Sequence, residues 1–300
     1  MSTVVALGGN ALVRPGERGT AAEQLANLRR AVTALRPLLA QSGGLAITHG
    51  NGPQVGNELL RQERAAAEAP PLPLWLAVAQ TQAEIGALIA AELRPALGER
   101  AVACVLTHVR VASDDPAFDR PTKPIGPFYS AQQAEALERD RGWALVPDAN
   151  RGHRRVVPSP EPLEIVELDA IRRLVGAGTV TITCGGGGIP VTRSGARLSG
   201  VDAVIDKDRA SALLASELEA EHLIVLTEVP AVYRSFGEQD QEEIRELSRA
   251  DAEALLPQLS EGSMRPKIES ALGFGGETLI TSFAALEDAL AGRAGTRVRP

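Results

Sequence analysis

The chain has 300 residues, 44% of them hydrophobic and only 3% aromatic, which is ample material for a core that must be largely aliphatic. The formal net charge is −7 and no basic block stands out, which argues against nucleic acid as the main partner. The first residues lead straight into an apolar strand without the basic region of a signal peptide. No uncharged apolar run approaches the roughly 20 residues that span a bilayer. These features predict a soluble cytoplasmic protein with no membrane partner.

Apolar strand-like runs alternate with helix-like runs along the chain. Strands are predicted at 3–7, 45–48, 101–107, 179–183, 222–227, 277–282 and 295–300. Helices are predicted after Thr20, where Glu23 completes a capping box, after Pro53, and over 208–220 and 248–259. This alternation is typical of an α/β fold, in which a mostly parallel sheet carries helices on both faces.

The two cysteines, Cys104 and Cys184, are far apart in the sequence. They have neither the spacing of metal ligands nor that of a CxxC redox motif. We therefore expect two buried thiols in a reducing cytosol.

Residues 109–160 break the alternation, because they are rich in proline, glycine, aspartate and arginine. A long insertion of this kind in a compact α/β domain is usually functional, often as a lid or a binding flap. Its prolines stiffen it, and it contains Lys123. We therefore predict a mobile flap subdomain that projects over a binding site.

Three apolar runs end abruptly in glycines, in "VVALGGNAL", "AITHGNGPQVG" and "TITCGGGGIPV". Glycine lets a ligand approach backbone N–H groups, and ligands of open α/β sheets bind beyond the carboxyl ends of the strands. The three turns predict an anion site built largely from backbone. A Walker A loop is excluded because no Gly-Lys pair occurs, and GxSxG and HExxH motifs are also absent. His49 directly follows a strand and is expected to be structural.

Lysine is rare in this chain, with 28 arginines and only three lysines, Lys123, Lys207 and Lys267. Lys207 stands at a predicted helix start beside Asp206 and Asp208, where one aspartate can cap the helix. A cation there opposes the helix dipole, which suggests an external anion. Lys267 repeats this arrangement, near the first turn of a helix that is predicted to begin at 262–263. Lysine is a compact point charge, whereas guanidinium is broad and planar, so these places favour a crowded phosphoryl site.

The motifs together resemble a known family. "VVALGGNAL", "THGNGPQVGN", "PTKPIGPFY", "RRVVPSP", "CGGGGIPV", "GVDAVIDKDRAS" and "GSMRPK" are similar, in this order from residue 4 to 267, to the signatures of carbamate kinases in the amino-acid-kinase superfamily. The resemblance implies one domain over 1–300, an open three-layer αβα sandwich with a mainly parallel central sheet, and the flap at 109–160 inserted within it. It also implies a homodimer and a place in arginine catabolism, although the physiological direction stays open.

The resemblance assigns roles residue by residue. Lys207 and Lys267 match lysines that neutralise the transferring phosphoryl group, Asp208 matches the aspartate that organises them, and Lys123 matches the flap lysine that reaches carbamoyl phosphate. The backbone cradle for carbamate and phosphoryl oxygens matches Gly8, Gly9, Asn10, Gly50, Asn51 and Gly52. The nucleotide side matches Gly185, Gly186, Gly187, Gly188, Leu226, Thr227, Tyr233 and Lys267. Glu228 and Pro230 depart from the family's usual sequence, which leaves the contacts at the nucleotide edge open.

The implied reaction is reversible, ATP plus carbamate giving ADP plus carbamoyl phosphate. Mg²⁺ is expected to enter with ATP or ADP, held mainly by phosphates and water, so no protein metal ligand is predicted. Two alternatives stay open at this point. One is another kinase of the superfamily, acting on acetylglutamate or a nucleotide, and the other is a non-catalytic nucleotide sensor on the same scaffold.

Overall fold

The fold is taken from a computed structural model that describes residues 2–14, 16–147, 152–259 and 264–300. Within these ranges the strands are β1 (Ser2–Leu7), β2 (Gly44–His49), β3 (Val102–Cys104), β4 (His108–Arg110), β5 (Lys123–Tyr129), β6 (Ala144–Pro147), β7 (His153–Val157), β8 (Glu164–Ile165), β9 (Val180–Ile182), β10 (Ile189–Ser194), β11 (Arg197–Gly200), β12 (His222–Thr227), β13 (Val232–Arg234), β14 (Glu242–Ile244), β15 (Glu246–Leu247), β16 (Glu277–Ser282) and β17 (Thr296–Val298). The α-helices are α1 (Ala21–Leu39), α2 (Gly52–Ala65), α3 (Leu74–Leu97), α4 (Ala131–Arg141), α5 (Leu168–Gly176), α6 (Lys207–Glu217), α7 (Arg249–Leu255), α8 (Met264–Phe274) and α9 (Leu286–Leu290).

The central sheet has eight strands in the order β15-β17-β16-β12-β1-β2-β9-β3. Every neighbouring pair in it is parallel except β16 with β17. The predicted α/β class with a mainly parallel sheet is confirmed. The strand predicted at 101–107 is shorter than expected, because the chain leaves the sheet after Cys104.

Alternate residues of the central strands point to opposite faces, as the two-residue period of a strand requires. Val4 and Ala6 of β1 pack into a core with α5, α6, α7 and α8, whereas Val5 and Leu7 pack into a second core with α1, α3 and α9. Each face is therefore closed by its own helical layer, which gives the three-layer arrangement. The capping box predicted at the start of α1 is present between Thr20 and Glu23.

Helix α3 was not among the predicted helices. It is 24 residues long, and its most apolar window has a mean hydropathy of 1.3, so by length and composition alone it could cross a membrane. Residues along it, including Val78, Ile85 and Leu93, are fully buried against the rest of the protein. Core helices of soluble proteins pass the same test, and we interpret α3 as a core helix.

The predicted flap region is structured over much of its length. The antiparallel strands β5-β7-β6 form a separate sheet with α4 beside it, whereas β4 belongs to a four-stranded sheet in the order β11-β10-β4-β8. Residues 148–151 of the predicted flap lie outside the described residues.

Contrary to expectation, Cys104 is exposed, because β3 is the edge strand of the central sheet, while Cys184 is buried as predicted.

Candidate active site

The glycine turns meet at one edge of the central sheet. In β1, Leu7 pairs in register with Leu226 of β12 on one side and with His49 of β2 on the other. Ile47 of β2 pairs in turn with Ile182 of β9. The turns that follow β1, β2 and β9 therefore lie side by side beyond the carboxyl ends of adjacent strands, the place where open α/β sheets bind ligands.

Lys207 is the first residue of α6, and its side chain is 10% exposed. Asp206 caps the helix, since its Oδ1 accepts the backbone N–H groups of Asp208 at 2.8 Å and of Arg209 at 3.3 Å. The sequence predicted that one of the two aspartates caps the helix, and the structure shows that Asp206 does so through one of its oxygens. The ammonium of Lys207 donates to Oδ1 of Asp208.

Asp208 lies between two lysines. Its other oxygen, Oδ2, accepts a hydrogen bond of 2.9 Å from Nζ of Lys267, which reaches it from α8. Helices α6 and α8 pack against each other, so two lysines that are 60 positions apart in sequence share a single carboxylate. The helix of Lys267 begins at Met264 in the structure, and the predicted start at 262–263 lies outside the described residues.

The third lysine comes from the flap. Lys123, at the start of β5, pairs with Oδ2 of Asp206, the oxygen that the helix cap leaves free. This pairing was not foreseen from the sequence. Asp206 and Lys123 are far apart along the chain, and the only signal was that Asp206 stands next to Lys207.

The three lysines line one cavity of about 180 Å³. Its walls are formed by Gly50, Asn51, Gly52, Lys123, Gly186, Val204, Ile205, Asp206, Lys207, Asp208, Pro266 and Lys267. Three ammonium groups face two carboxylates here, so the cluster carries one excess positive charge. The cavity is small, polar and cationic, which suits a compact anion.

Burial and ion pairing compete in setting the pKa values of this cluster. Burial lowers the pKa of Lys207, and the charge of Asp208 offsets only part of that effect. Burial also acts against Lys267, but the charge and hydrogen bond of Asp208 outweigh it and raise its pKa. For Asp206 and Asp208 burial acts to raise the pKa, yet the neighbouring lysines hold both pKa values below the usual range. An incoming anion would compensate the unfavourable burial of Lys207.

The predicted cradle residues occupy two of the turns. Gly50, Asn51 and Gly52 line the cavity itself. The turn after β1 is a 3₁₀ helix over Gly9–Ala11 that includes the backbone of Asn10. A Cβ at Gly8 would lie 2.5 Å from the carbonyl oxygen of Leu226, so the two strand ends approach closely, whereas Gly9 faces open space with no described atom within 4 Å of that position.

The four consecutive glycines differ in their surroundings. Gly186 lines the cavity, and its backbone passes so close to the side chain of Asn51 that a Cβ there would overlap the amide. Gly185, Gly187 and Gly188 are buried against other protein atoms. Packing therefore explains glycine at these three positions, and their contact with a nucleotide stays a prediction.

A second, larger cavity of about 400 Å³ adjoins the first residue of α8. It is lined by Val229, Tyr233, Arg234, Ser235, Phe236, Glu238, Leu255, Gln258, Leu259 and Met264. The rings of Tyr233 and Phe236 lie 5.8 Å apart. Met264 of this cavity precedes Lys267 of the smaller one by a single helical turn, so α8 connects the two.

The other predicted nucleotide-side residues lie at the end of β12. The side chain of Leu226 is fully buried in the core, so only its backbone is available near the turns. Thr227 is half-buried and ends the strand. Glu228 is exposed and close enough to Lys267 for its charge to help raise the pKa of that lysine, and the carbonyl of Pro230 accepts a hydrogen bond of 3.1 Å from Thr281. Neither residue that departs from the family's sequence disturbs the strand.

His49, expected to be structural, is completely buried behind the cavity. Its Nδ1 lies 3.1 Å from the carbonyl oxygen of Gly50, and its Nε2 has no hydrogen-bond partner among the described residues. Burial lowers the pKa of His49 to about 4, so the imidazole is neutral at physiological pH. A group in this state is not a phosphate-binding cation.

No cluster of three or more histidine, cysteine, aspartate or glutamate side chains suited to a metal occurs in the part of the chain that the structure describes. The two carboxylates that face the cavity, Asp206 and Asp208, are already engaged by lysines. The protein groups here suit an anion better than a bare cation.

A mostly parallel sheet whose carboxyl edge carries a lysine-lined anion cavity beside a larger, partly aromatic cavity defines a kinase-type α/β protein. The model of the amino acid kinase family matches residues 1–275. A carbamate kinase of Halobacterium salinarum is 46% identical over 99% of this chain and 98% of its own length. The chain belongs to the amino acid kinase family, and by homology to its carbamate kinases, and is thus an ATP-dependent phosphotransferase.

Solved structures agree with this assignment. A carbamate kinase from Giardia lamblia bound to citric acid superposes with a TM-score of 0.94 at 36% identity, covering 99% of this chain and 98% of that one. The same enzyme bound to AMP-PNP superposes with a TM-score of 0.90 at 37% identity and the same coverage. The likeness extends over 99% of the chain in both comparisons.

Proposed function

We propose that this chain catalyses reversible phosphoryl transfer, ATP plus carbamate giving ADP plus carbamoyl phosphate. The observation that carries the proposal is the meeting of Lys123, Lys207 and Lys267 at one cavity of about 180 Å³. These lysines come from the flap, α6 and α8, and the chain has no others. A relative that is 46% identical over nearly the full length and is named carbamate kinase supports the same substrate.

Nucleotide and acceptor occupy the two cavities in this proposal. The adenine of the nucleotide binds in the larger cavity, where the rings of Tyr233 and Phe236 can contact it. The phosphates then run along α8 from Met264 toward Lys267. The relative bound to AMP-PNP supports a nucleotide, and the connection between the two cavities through α8 supports this direction.

The chemistry needs positioning and charge neutralisation rather than covalent help from the protein. Carbamate is already an anion, so no base is required to ionise the attacking oxygen, which agrees with a neutral, buried His49. Lys207 and Lys267 hold the phosphoryl oxygens from two sides, and Asp208 between them fixes the spacing of the two ammonium groups. Backbone groups of Gly50 and Gly52 approach from the facing turn.

Lys123 acts from the flap. It is held over the cavity by Asp206, the residue that also caps α6, so flap position and helix position are linked through one carboxylate. We propose that Lys123 binds carbamoyl phosphate directly. A closed flap excludes water, which protects a labile acyl phosphate.

Mg²⁺ is proposed to enter with the nucleotide. Because lysines already engage Asp206 and Asp208, the residues present fit a metal held by phosphate oxygens and water rather than by a protein cage. When bound it would neutralise charge on the phosphates. The protein itself is proposed to be a cytoplasmic homodimer.

The test is a coupled assay of ATP formation from ADP, Mg²⁺ and carbamoyl phosphate, using purified protein. Turnover with carbamate and ATP in the reverse direction, but not with acetylglutamate or a nucleoside monophosphate, is the expected result. Binding of ADP by calorimetry without any turnover would instead identify a nucleotide sensor. Turnover with another acceptor would identify a different kinase of the family.

A further inference from the structure

Helix α3 contains two fully buried polar side chains in an otherwise apolar interior stretch. Thr81 and Gln82 are each 1% exposed, and Ala77, Val78 and Ile85 around them are completely buried. Buried polar groups that lack partners are costly, so such residues in a core helix are kept where their hydrogen bonds serve a purpose. Thr81 bonds Asn51, which lines the anion cavity, and Gln82 bonds Gly185, which precedes the cavity-lining Gly186.

Thr81 holds the turn after β2. Its hydroxyl donates to the carbonyl oxygen of Ala77 at 2.8 Å within the helix and accepts the side-chain N–H of Asn51 at 3.0 Å. Asn51 is 2% exposed and lines the lysine cavity. The rotation of the Asn51 amide, and hence what it presents to the cavity, depends on this acceptor.

Gln82 holds the turn after β9. Its Nε2 donates to the carbonyl oxygen of Gly185 at 2.8 Å, and its Oε1 accepts the backbone N–H of Thr107 at 2.6 Å. One amide thereby ties the glycine turn to the segment that follows β3. Gly186, the cavity-lining residue of the turn, comes directly after the carbonyl that Gln82 holds.

Thr107 extends the same network. Its hydroxyl lies 2.8 Å from that of Thr183 and accepts the backbone N–H of Cys184 at 3.1 Å. Cys184 has a φ of 48°, the left-handed region that a non-glycine residue adopts only when its surroundings hold it there. Hydrogen bonds thus hold both Cys184 and Gly185, the residues at which the glycine turn begins.

We propose that Thr81 and Gln82 are positioning residues for the reaction, since two consecutive residues of one rigid helix set the separation of the two turns that flank the anion cavity. The turns also touch each other, because Gly186 packs against the amide of Asn51. Neither residue carries a charge, so both act through geometry. Their loss is expected to reduce kcat much more than it affects the KM for ADP, whose base lies in the other cavity. This inference rests on the proposed function.

The experiment compares variants that remove the hydrogen-bonding group with a variant that retains it. Thr81→Val replaces the hydroxyl by a methyl group, and Thr81→Ser retains the hydroxyl. We expect Thr81→Val to lower kcat about 10-fold with little change in the KM for ADP, and Thr81→Ser to retain most of kcat. Gln82→Met keeps a side chain of similar length but removes both hydrogen bonds of the side-chain amide. It is expected to lower kcat about 10²-fold.

Thr278→Val is the matched control, because the hydroxyl of Thr278 on β16 is also buried but has no hydrogen-bond partner among the described residues. It is expected to keep full kcat. Urea unfolding shows whether each assayed variant is folded. A folded Thr81→Val that keeps full kcat, or a Thr81→Ser as impaired as Thr81→Val, overturns the positioning role. If Gln82→Met does not fold, the Thr81 pair decides.

A wild-type chain that shows no turnover would remove the proposed function without deciding this inference. In that case the affinity for inorganic phosphate, measured by calorimetry, is the readout. Thr81→Val is expected to weaken that affinity about 10-fold, and an unchanged affinity overturns the role of Thr81.

Discussion

Among the described residues, each cation that lines the small cavity is a lysine rather than an arginine. Lys207 and Lys267 share Asp208, and the exposed fractions of the two lysine side chains are 10% and 11%. In so confined a space a guanidinium, which is broader and planar, cannot replace an ammonium without moving a neighbouring turn. Because the chain uses arginine almost everywhere else, the lysines at these positions indicate a requirement for a compact cation.

We expect Lys207→Arg and Lys267→Arg to fold and bind ADP but to lose most of their turnover. Both variants keep the positive charge. The broader guanidinium, however, misplaces a hydrogen-bond donor that the ammonium group directs at the charge developing on the phosphoryl oxygens. That loss typically costs about 10²–10³ in kcat. Steady-state kinetics and calorimetry with ADP separate the two effects.

The matched control is Arg61→Lys, whose side chain is 67% exposed in a surface ion pair with Glu58. It is expected to change neither kcat nor stability appreciably. Near-native kcat in both cavity variants would show that turnover does not require lysine at these positions. The rarity of lysine would then no longer support the site.

His49 links stability to pH. Its pKa of about 4 in the folded protein lies below the ordinary 6.5, because the buried ring is disfavoured in its charged form. The unfolded chain therefore binds a proton more readily, and stability that is present above pH 6.5 is lost as the pH falls toward 4. The loss amounts to about 3 kcal/mol.

We expect His49→Gln to lack this part of the pH dependence. Urea unfolding of both proteins at pH 7.5 and pH 4.5 measures the difference directly. His108 is a useful internal comparison, since its hydrogen bond to Glu167 raises its pKa and its stabilising effect fades only as the pH rises above 6.5. An equal loss of stability between pH 7.5 and pH 4.5 in wild type and variant would mean that His49 is not buried as described.

At the scale of elements, the predicted flap packs against the domain through a close approach of two backbones. In α2, a Cβ at Gly56 would overlap the Cα of Gly126 in β5, the strand that begins with Lys123. Two glycines thus let the helix and the flap strand touch directly. We propose that this contact, together with Asp206, sets the position of Lys123 at the cavity.

Gly56→Ala is expected to push the flap outward and lower kcat/KM for carbamoyl phosphate about 10²-fold, because a shift of about 1 Å at a reacting group has that effect. Binding of ADP, measured by calorimetry, should change little. Lys123→Ala should show the same selective loss, since both changes remove the lysine from its place.

Gly176→Ala at the end of α5 controls for a glycine replaced within a helix, since no described atom lies within 4 Å of its Cβ position. It is expected to leave kinetics unchanged. A Gly56→Ala enzyme with normal kcat/KM, or one that loses ADP binding equally, would contradict the proposed role of the flap contact.

At the scale of the whole molecule, the two cavities lie along α8, and the three layers leave the carboxyl edge of the sheet free for them. From the family resemblance we propose that the chain assembles as a homodimer. We expect light scattering at micromolar concentration to give twice the chain mass of 31.5 kDa. A mass of one chain would remove the dimer and leave the chemistry untouched.

The sequence by itself determined the alternation of strands and helices, the capping of α1 and α6 and the three glycine turns, because these depend on residues close together in the chain. It also singled out the three lysines through their rarity. Helix α3 escaped prediction, since an apolar run broken by Thr81 and Gln82 has no simple amphipathic period. The exposure of Cys104 depended on its strand being at the sheet edge, which local sequence does not encode.

Only the tertiary structure decided which groups meet. Asp206 joins Lys123, Asp208 joins Lys207 to Lys267, and Gln82 reaches Gly185, in each case through side chains that distant elements bring together. Hydrogen bonds and ion pairs act over about 3 Å, whereas sequence patterns report only the face and the local geometry of each element. The sequence therefore singled out the three lysines that meet at the cavity, but not the partners that hold them in place.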